Sequence, residues 1–465
     1  MKIMKKSLAV LLTIALSMTA FVGCGSKTEE SATDATKTTE TAAKEETKPE
    51  EPKAEAVVDP SQLEAEITWW NFPNFASIDD TAGKYEEGII AAFNEKYPNI
   101  KVNMEMIDFA SGPEKITNAI QGGTVCDVLF DAPGRIISYA KDGVLADVNS
   151  MFTDEFIADV NNDNIIGACK ANDNYYMYPI SSAPFLMAFN KEMLEKHGLM
   201  DMINLEGDRT WSVDEYKALM TALKDKGEKG AVVYCVSQGG DQGPRAFVSN
   251  LAGTPITNET LTEYIINSEG GVNAMQFISD AVAQGLLLNG SALDGTASIE
   301  EFTSGRVSHT ILFSPGVYNS NKANMEFEPI FVPFPTPAGV EPELEYLIDG
   351  FCIFDNGDAN KIEASKLLID FICNDPTWGP QNVIQTATFP VRSSYGNLYA
   401  DDENMTYLSS LSKFYGTYYN TIDGFAEMRT FWFPMMQAVL AGDKDAQTAL
   451  DDFVTSANQS IANAQ

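Results

Sequence analysis

From Glu64 onward the chain alternates short apolar runs with segments whose apolar residues recur at helical spacing, and this alternation narrows the possible folds more than any other feature. Ile67-Thr68-Trp69-Trp70 reads as a first strand. Gly83 to Tyr97 carries Ile89, Ile90, Phe93 and Tyr97 at helical spacing and stops at Pro98. Ile100 to Ile107 alternates as a second strand, Lys115 to Ile120 is helical, Val125 to Phe130 is a short buried strand, and Ile136 to Lys141 is helical again. A βαβαβ opening of this kind predicts an α/β fold with a parallel sheet covered on both faces. Ligands on such sheets bind beyond the carboxyl ends of the strands. Two strand ends therefore become candidates, Trp69-Trp70-Asn71 and Asp131 to Gly134.

The residues before this pattern read as an address and a leash. Lys2, Lys5 and Lys6 form a basic start, followed by an apolar run from Leu8 to Val22. That run falls short of the roughly 20 residues of a membrane-spanning helix and fits a signal peptide. It ends in Phe21-Val22-Gly23-Cys24, which resembles a bacterial lipobox with Phe21 in the place usually held by leucine. Residues 1–23 are then the signal, and a diacylated Cys24 tethers the protein to the outer face of the membrane. Two acyl chains meet the two-signal requirement for stable anchoring, each buried CH₂ adding about 0.8 kcal/mol. Residues 24–61 follow as an acidic tether without a single aromatic residue, broken by Pro49, Pro52 and Pro60. Such a segment buries too little apolar surface to offset the entropy of ordering, so disorder is expected. A leash of this length suits a thick, Gram-positive-type cell envelope.

Charge excludes whole classes of partner. The 31 Lys and Arg stand against 66 Asp and Glu, a formal net charge of -35, so nucleic-acid binding and electrostatic docking on anionic lipid are disfavoured. Two histidines, His197 and His309, leave little room for multi-histidine metal chemistry. Apart from Cys24 there are five cysteines, Cys126, Cys169, Cys235, Cys352 and Cys373; an odd number without close spacing reads as buried free thiols. No G-x-S-x-G, H-E-x-x-H, C-x-x-C or P-loop pattern occurs. Asp159 to Asp163 begins like a calcium loop but lacks the glycine at its sixth position.

A series of landmarks then appears in order over nearly all of the remaining chain. Ile67 to Trp70 opens it, followed by Phe93 to Val102, Gly122 to Gly134 and Tyr139 to Val148. Tyr178-Pro179 to Lys191, Thr210-Trp211 to Tyr216, Phe302 to Val307, Gly350 to Ile353, a helix over 359–374 and Phe389 to Arg392 continue it. In this order and spacing the chain resembles the family 1 extracellular solute-binding proteins, the maltose-binding-protein-like sugar receptors of ABC importers. The resemblance implies a two-lobed, type II periplasmic-binding-protein-like fold with hinge-joined lobes and a ligand cleft between them. It places 62–179 plus 309–349 in one lobe and 180–308 plus 350–465 in the other. It implies a monomer that delivers a carbohydrate to the transmembrane subunits of a permease, with no catalysis and no cofactor.

Sugar sites combine stacked aromatic rings with bidentate polar side chains. The resemblance carries Trp69, Trp70 and Asn71 to the end of the first strand, Asp131 and Arg135 to the third, and Gln238 and Asp241 to the second lobe. Phe431 to Pro434 matches the late aromatic motif, with Trp432 expected to stack on a sugar ring and Glu427 and Arg429 beside it. Relatives often carry Gly-Pro-Trp where this chain has Ser314-Pro315-Gly316, which leaves Tyr318 as the substitute. Structural readings stand beside these: Trp69 and Trp211 as core, Trp378 as loop packing, Asp131 as a helix cap, Arg392 as a structural residue.

Two other readings stay open. The paired tyrosines Tyr175-Tyr176 and Tyr418-Tyr419 would serve a ferric-ion binder of the same fold, and an acidic cleft would suit a polyamine. A surface glycoside hydrolase needs only two carboxylates, which this composition supplies.

Overall fold

The computed structural model describes residues 60–109 and 111–464; Cys24, the signal segment and nearly all of the tether lie outside them. The first elements are β1 (Ala65–Asn71), α1 (Lys84–Lys96), β2 (Ile100–Met106), α2 (Gly112–Gly122), β3 (Val128–Asp131) and α3 (Pro133–Lys141). Helix α1 turns Ile89 and Phe93 inward and ends before Pro98, which cannot supply the next backbone donor. Helix α3 starts at Pro133, whose fixed φ suits a first turn. Strands β2 and β3 both pair parallel to β1, with Trp69 opposite Val128 and Asn71 opposite Phe130. The parallel opening read from the sequence is therefore present.

The chain then passes through β4 (Tyr178–Pro184) directly into β5 (Leu186–Asn190), with Phe185 between them. Helix α4 (Gln242–Ala252), β6 (His309–Phe313), β7 (Pro329–Val332), β8 (Tyr346–Phe354), α5 (Ala359–Asn374) and β9 (Phe389–Pro390) follow. The last two helices are α6 (Phe425–Ala441) and α7 (Ala446–Ala464). The larger sheet runs β9-β4-β8-β3-β1-β2, and β6 and β7 flank β5 in a smaller antiparallel one. Val232–Tyr234 and Leu288–Gly290 form a parallel pair of their own.

This pairing redraws the lobes expected from the order of landmarks. Residues 309–332 belong with β5 in the second lobe, and β8, α5 and β9 belong with the first sheet. The reason is β8, which fills the gap between β3 and β4, antiparallel to both, and is buried along almost its whole length. Its register against β4 shifts between Asp349 and Gly350. A Cβ at Gly350 would lie 2.6 Å from the Tyr178 carbonyl oxygen, so the bulge requires glycine. Three segments among the described residues pass between the lobes: Phe185, 333–345, and the stretch after β9 that leads to α6.

All five cysteines named above are buried and free. Trp211 is buried and donates through Nε1 to the Pro333 carbonyl at 2.9 Å, while Arg392 pairs with Asp159 at 2.7 Å. Both are structural. Helices α6 and α7 pack together around Trp432, which is fully buried and meets Phe453 edge-on at 5.2 Å. Trp432→Ala is expected to lower stability by about 3–5 kcal/mol, the usual cost of emptying so large a site. Urea unfolding checks this, and a loss under about 1 kcal/mol would contradict the packing described.

Candidate functional site

A cleft of about 840 Å³ opens between the lobes at the carboxyl end of β3. The first lobe contributes Ala132, Gly134, Arg135, Lys141 and, at the start of β8, Tyr346, and the first crossing contributes Phe185. The second lobe contributes Gln238, Asp241 and Arg245, and the returning segment adds Tyr418, Asn420, Phe425 and Arg429. A second opening of about 690 Å³ lies beside the crossings, bordered by Asn164, Glu259, Glu343 and Tyr415. The first is the candidate site because it collects side chains at the strand ends of an open α/β sheet.

Its charges are matched within the protein. Asp131 accepts from Arg135 Nε at 2.6 Å and also receives Nη2 of the same guanidinium. Its Oδ1 accepts from the Ala132 backbone at 2.8 Å, one residue ahead of where a helix cap would act. Arg245, only 1% exposed, pairs with Glu345 at 3.1 Å and donates through Nε to Tyr419 Oη at 2.5 Å. Tyr419 in turn donates to Glu345. Arg429 grips Asp241 with two bonds of 2.7 and 2.8 Å. Burial alone would raise the Asp241 carboxyl, but the Arg245 and Arg429 guanidinia outweigh it and hold it below the usual range. Glu345 goes the other way, because its burial outweighs Arg245 and Tyr419.

Some polar atoms at the cleft are not matched. Tyr346 Oη and Asn420 Oδ1 are shut off from solvent without a hydrogen-bond partner among the described residues. Arg245 Nη1 touches Asp241 Oδ2 at 2.6 Å, but off the hydrogen-bonding angle.

Of the residues proposed from sequence, the cleft gathers Arg135, Gln238, Asp241, Glu427 and Arg429, with Asp131 directly behind Arg135. The others lie elsewhere. Trp69 and Asn71 are fully buried, Asn71 donating to Glu86 at 2.5 Å. Trp70 is 8% exposed, with the Lys115 ammonium 4.3 Å above its ring. Tyr318 packs edge-on against Phe331 at 5.3 Å and does not border the cleft. Trp432 cannot stack on a ligand because α6 turns it inward with Met428, Met435, Met436 and Val439. Phe425 and Arg429 hold the cleft-facing turns of that helix. Counting back from Trp432 in fours reaches buried Met428, whereas Phe425 and Arg429, four apart, share the other face. That spacing was the missed signal for Phe425. Tyr175 and Tyr176, one half of the iron reading, do not border this cleft; Tyr175 stacks on Phe152 at 3.8 Å.

Asp349 lies at the β8 bulge beside this site, with Ser181 Oγ 3.3 Å from its Oδ2. Burial pushes its carboxyl up to about 7, with the Asp131 charge adding and the Ser181 bond opposing. The folded chain thus keeps a proton that the unfolded chain releases near pH 4. Stability from this group is complete below that pH and is lost as pH rises through about 7. Asp349→Asn removes the loss. The variant's advantage over the unaltered chain should grow between about pH 4 and 7 and then level off in urea unfolding series; a flat difference would contradict the assignment.

Comparison with known proteins agrees with this architecture. Residues 77–376 match the family described as bacterial extracellular solute-binding protein. A maltooligosaccharide ABC transporter solute-binding lipoprotein of Streptococcus pneumoniae is 21% identical over 483 residues, covering 98% of this chain and 97% of the relative. Among solved structures, an ABC substrate-binding protein from Listeria monocytogenes in complex with cycloalternan superposes with a TM-score of 0.67 at 19% identity, over 86% of this chain and 99% of that one. A cyclic alpha-maltosyl-1,6-maltose binding protein from Arthrobacter globiformis gives 0.71 at 20% identity, with the same coverage. These structures share the fold, and the match over 77–376 places the sequence: the chain belongs to the bacterial extracellular solute-binding protein family.

Proposed function

We propose that this chain is the sugar receptor of an ABC importer, capturing a neutral oligosaccharide in the interlobe cleft and handing it to the permease subunits. The observation that carries the reading is the cleft's charge accounting. Its buried acids and arginines satisfy one another, so an ionic ligand would have to break an existing pair, at about 3–5 kcal/mol. The neutral polar side chains that border the cleft, Gln238, Gln242, Tyr418 and Asn420, carry amides and a phenol. A sugar hydroxyl, which both donates and accepts, pairs with an amide or a phenol. Half-buried Phe185 and Phe425 supply apolar surface for the C–H faces of a ring. The relatives named for maltooligosaccharide and for cyclic glucans point to α-linked glucose chains.

The same reading places Cys24 as the diacylated anchor, the chain at the outer face of the membrane, and the protein as a monomer without catalytic activity. Binding without chemistry fits the buried carboxylates, since Asp131, Asp241 and Glu345 are all held by arginines.

A thermal-shift screen with maltose, maltotetraose, ferric citrate and spermidine tests it, because a bound ligand stabilises by RT ln(1 + [L]/Kd). Maltotetraose should raise Tm by several degrees, and ferric citrate and spermidine should leave it unchanged. A shift with spermidine or iron and none with sugar would overturn the proposal. New, shorter saccharides in the incubation would overturn its non-catalytic part.

A further inference from the structure

Phe109 is 54% exposed, the most open of the large apolar side chains exposed among the described residues. Its position is built. It belongs to the turn that follows β2, where the Asp108 carboxylate accepts from the Ser111 backbone at 2.8 Å and from the Ser111 hydroxyl at 2.6 Å. The Asp108 carbonyl accepts from Gly112 at 2.8 Å and closes the turn. One face of the Phe109 ring lies on Phe72, with centroids 4.9 Å apart and planes 7° apart. Phe72 itself is fully buried. A Cβ at Gly112 would come within 2.7 Å of the Phe72 ring, so glycine makes room for this pair. The Arg135 guanidinium stands 5.2 Å from the Phe72 ring centre and borders the cleft, as does Pro113 at the start of α2.

Phe109 therefore lies at the carboxyl end of β2, next to the ends of β1 and β3 that supply Phe72 and Arg135, on the rim where ligands of such sheets are held. We propose that Phe109 is an outer stacking platform, receiving a sugar ring of an oligosaccharide that extends beyond the enclosed part of the cleft. The inference rests on the sugar-receptor reading and adds to it that chain length is recognised at this rim. A phenylalanine has no polar group to spend elsewhere, and its open face is an apolar surface of the size of a pyranose C–H face. The locked turn and the underlying Phe72 hold the ring in place before binding, so little side-chain freedom is lost when a sugar covers it.

Isothermal titration of the full chain with maltose and with maltotetraose, on the unaltered protein, Phe109→Ala and Phe109→Trp, tests the inference. Phe109→Ala should weaken maltotetraose about tenfold and leave maltose unchanged, the size expected for one lost stacking contact. Phe109→Trp should keep maltotetraose binding within about twofold of the unaltered chain, because the flat face is retained. Equal losses for both sugars, no loss for either, or a loss in Phe109→Trp as large as in Phe109→Ala would overturn it while leaving the receptor reading in place. No binding of either sugar by the unaltered chain would overturn both.

Discussion

Arg245 is a fully buried cation at the place where helix α4 meets two of the segments that pass between the lobes. It is compensated by Asp241 immediately before its own helix, by Glu345 on one crossing and by the Tyr419 hydroxyl on another. A buried guanidinium is tolerated only with such partners, and removing one leaves the others uncompensated, at a cost of about 3–5 kcal/mol. Asn250, further along the same helix, exchanges two bonds of 2.7 and 2.9 Å with the backbone of Glu343. The crossings are thereby fixed to the second lobe. They are tied to the first lobe as well: Asn164 donates to the Tyr415 carbonyl at 2.8 Å, Tyr346 stacks on Tyr415 at 4.0 Å, and Lys141 holds the Thr421 carbonyl at 2.7 Å on the exposed rim.

The same network decides what the cleft can recognise. With Asp241 and Glu345 committed to arginines, and Asp131 committed to Arg135, the acids buried at the site are matched, and Asp142 and Glu427 border it only from the exposed rim. The overall acidity belongs to the exposed surface, where it favours solubility. It excluded nucleic acid from the outset and says nothing of the ligand. The cleft instead offers neutral polar atoms and half-buried rings, flanked by Phe109 on its rim.

Local pattern carried much of this fold into the sequence. The three opening strands and their helices follow from spacing, and α1, α2 and α3 end at or just before Pro98, Gly122 and Gly143. Strand β8 did not, since nothing near Tyr346 to Phe354 announces that it will lie between β3 and β4; that pairing is settled by sheet edges far apart in the chain. The candidate cleft was legible where a strand end fixes position, since Arg135 borders it. It was misread where an aromatic residue drew attention by type: Trp432 and Trp69 are the large rings that a core needs most, and burial took both. Arg245 passed unnoticed because an arginine four residues after an aspartate is common on solvent-facing helices. Only the packing of Glu345 and Tyr419 against it reveals an internal pair.

The central claim is that one ligand is held by both lobes at the ends of α3 and α4 and by the segment leading into α6. Hydrogen–deuterium exchange with and without saturating maltotetraose tests it most directly. The account predicts added protection in three places together, over 132–141, 238–245 and 418–429, with none at 314–318 or around Trp432. Protection confined to a single lobe, or centred on 314–318 and Trp432, would contradict it.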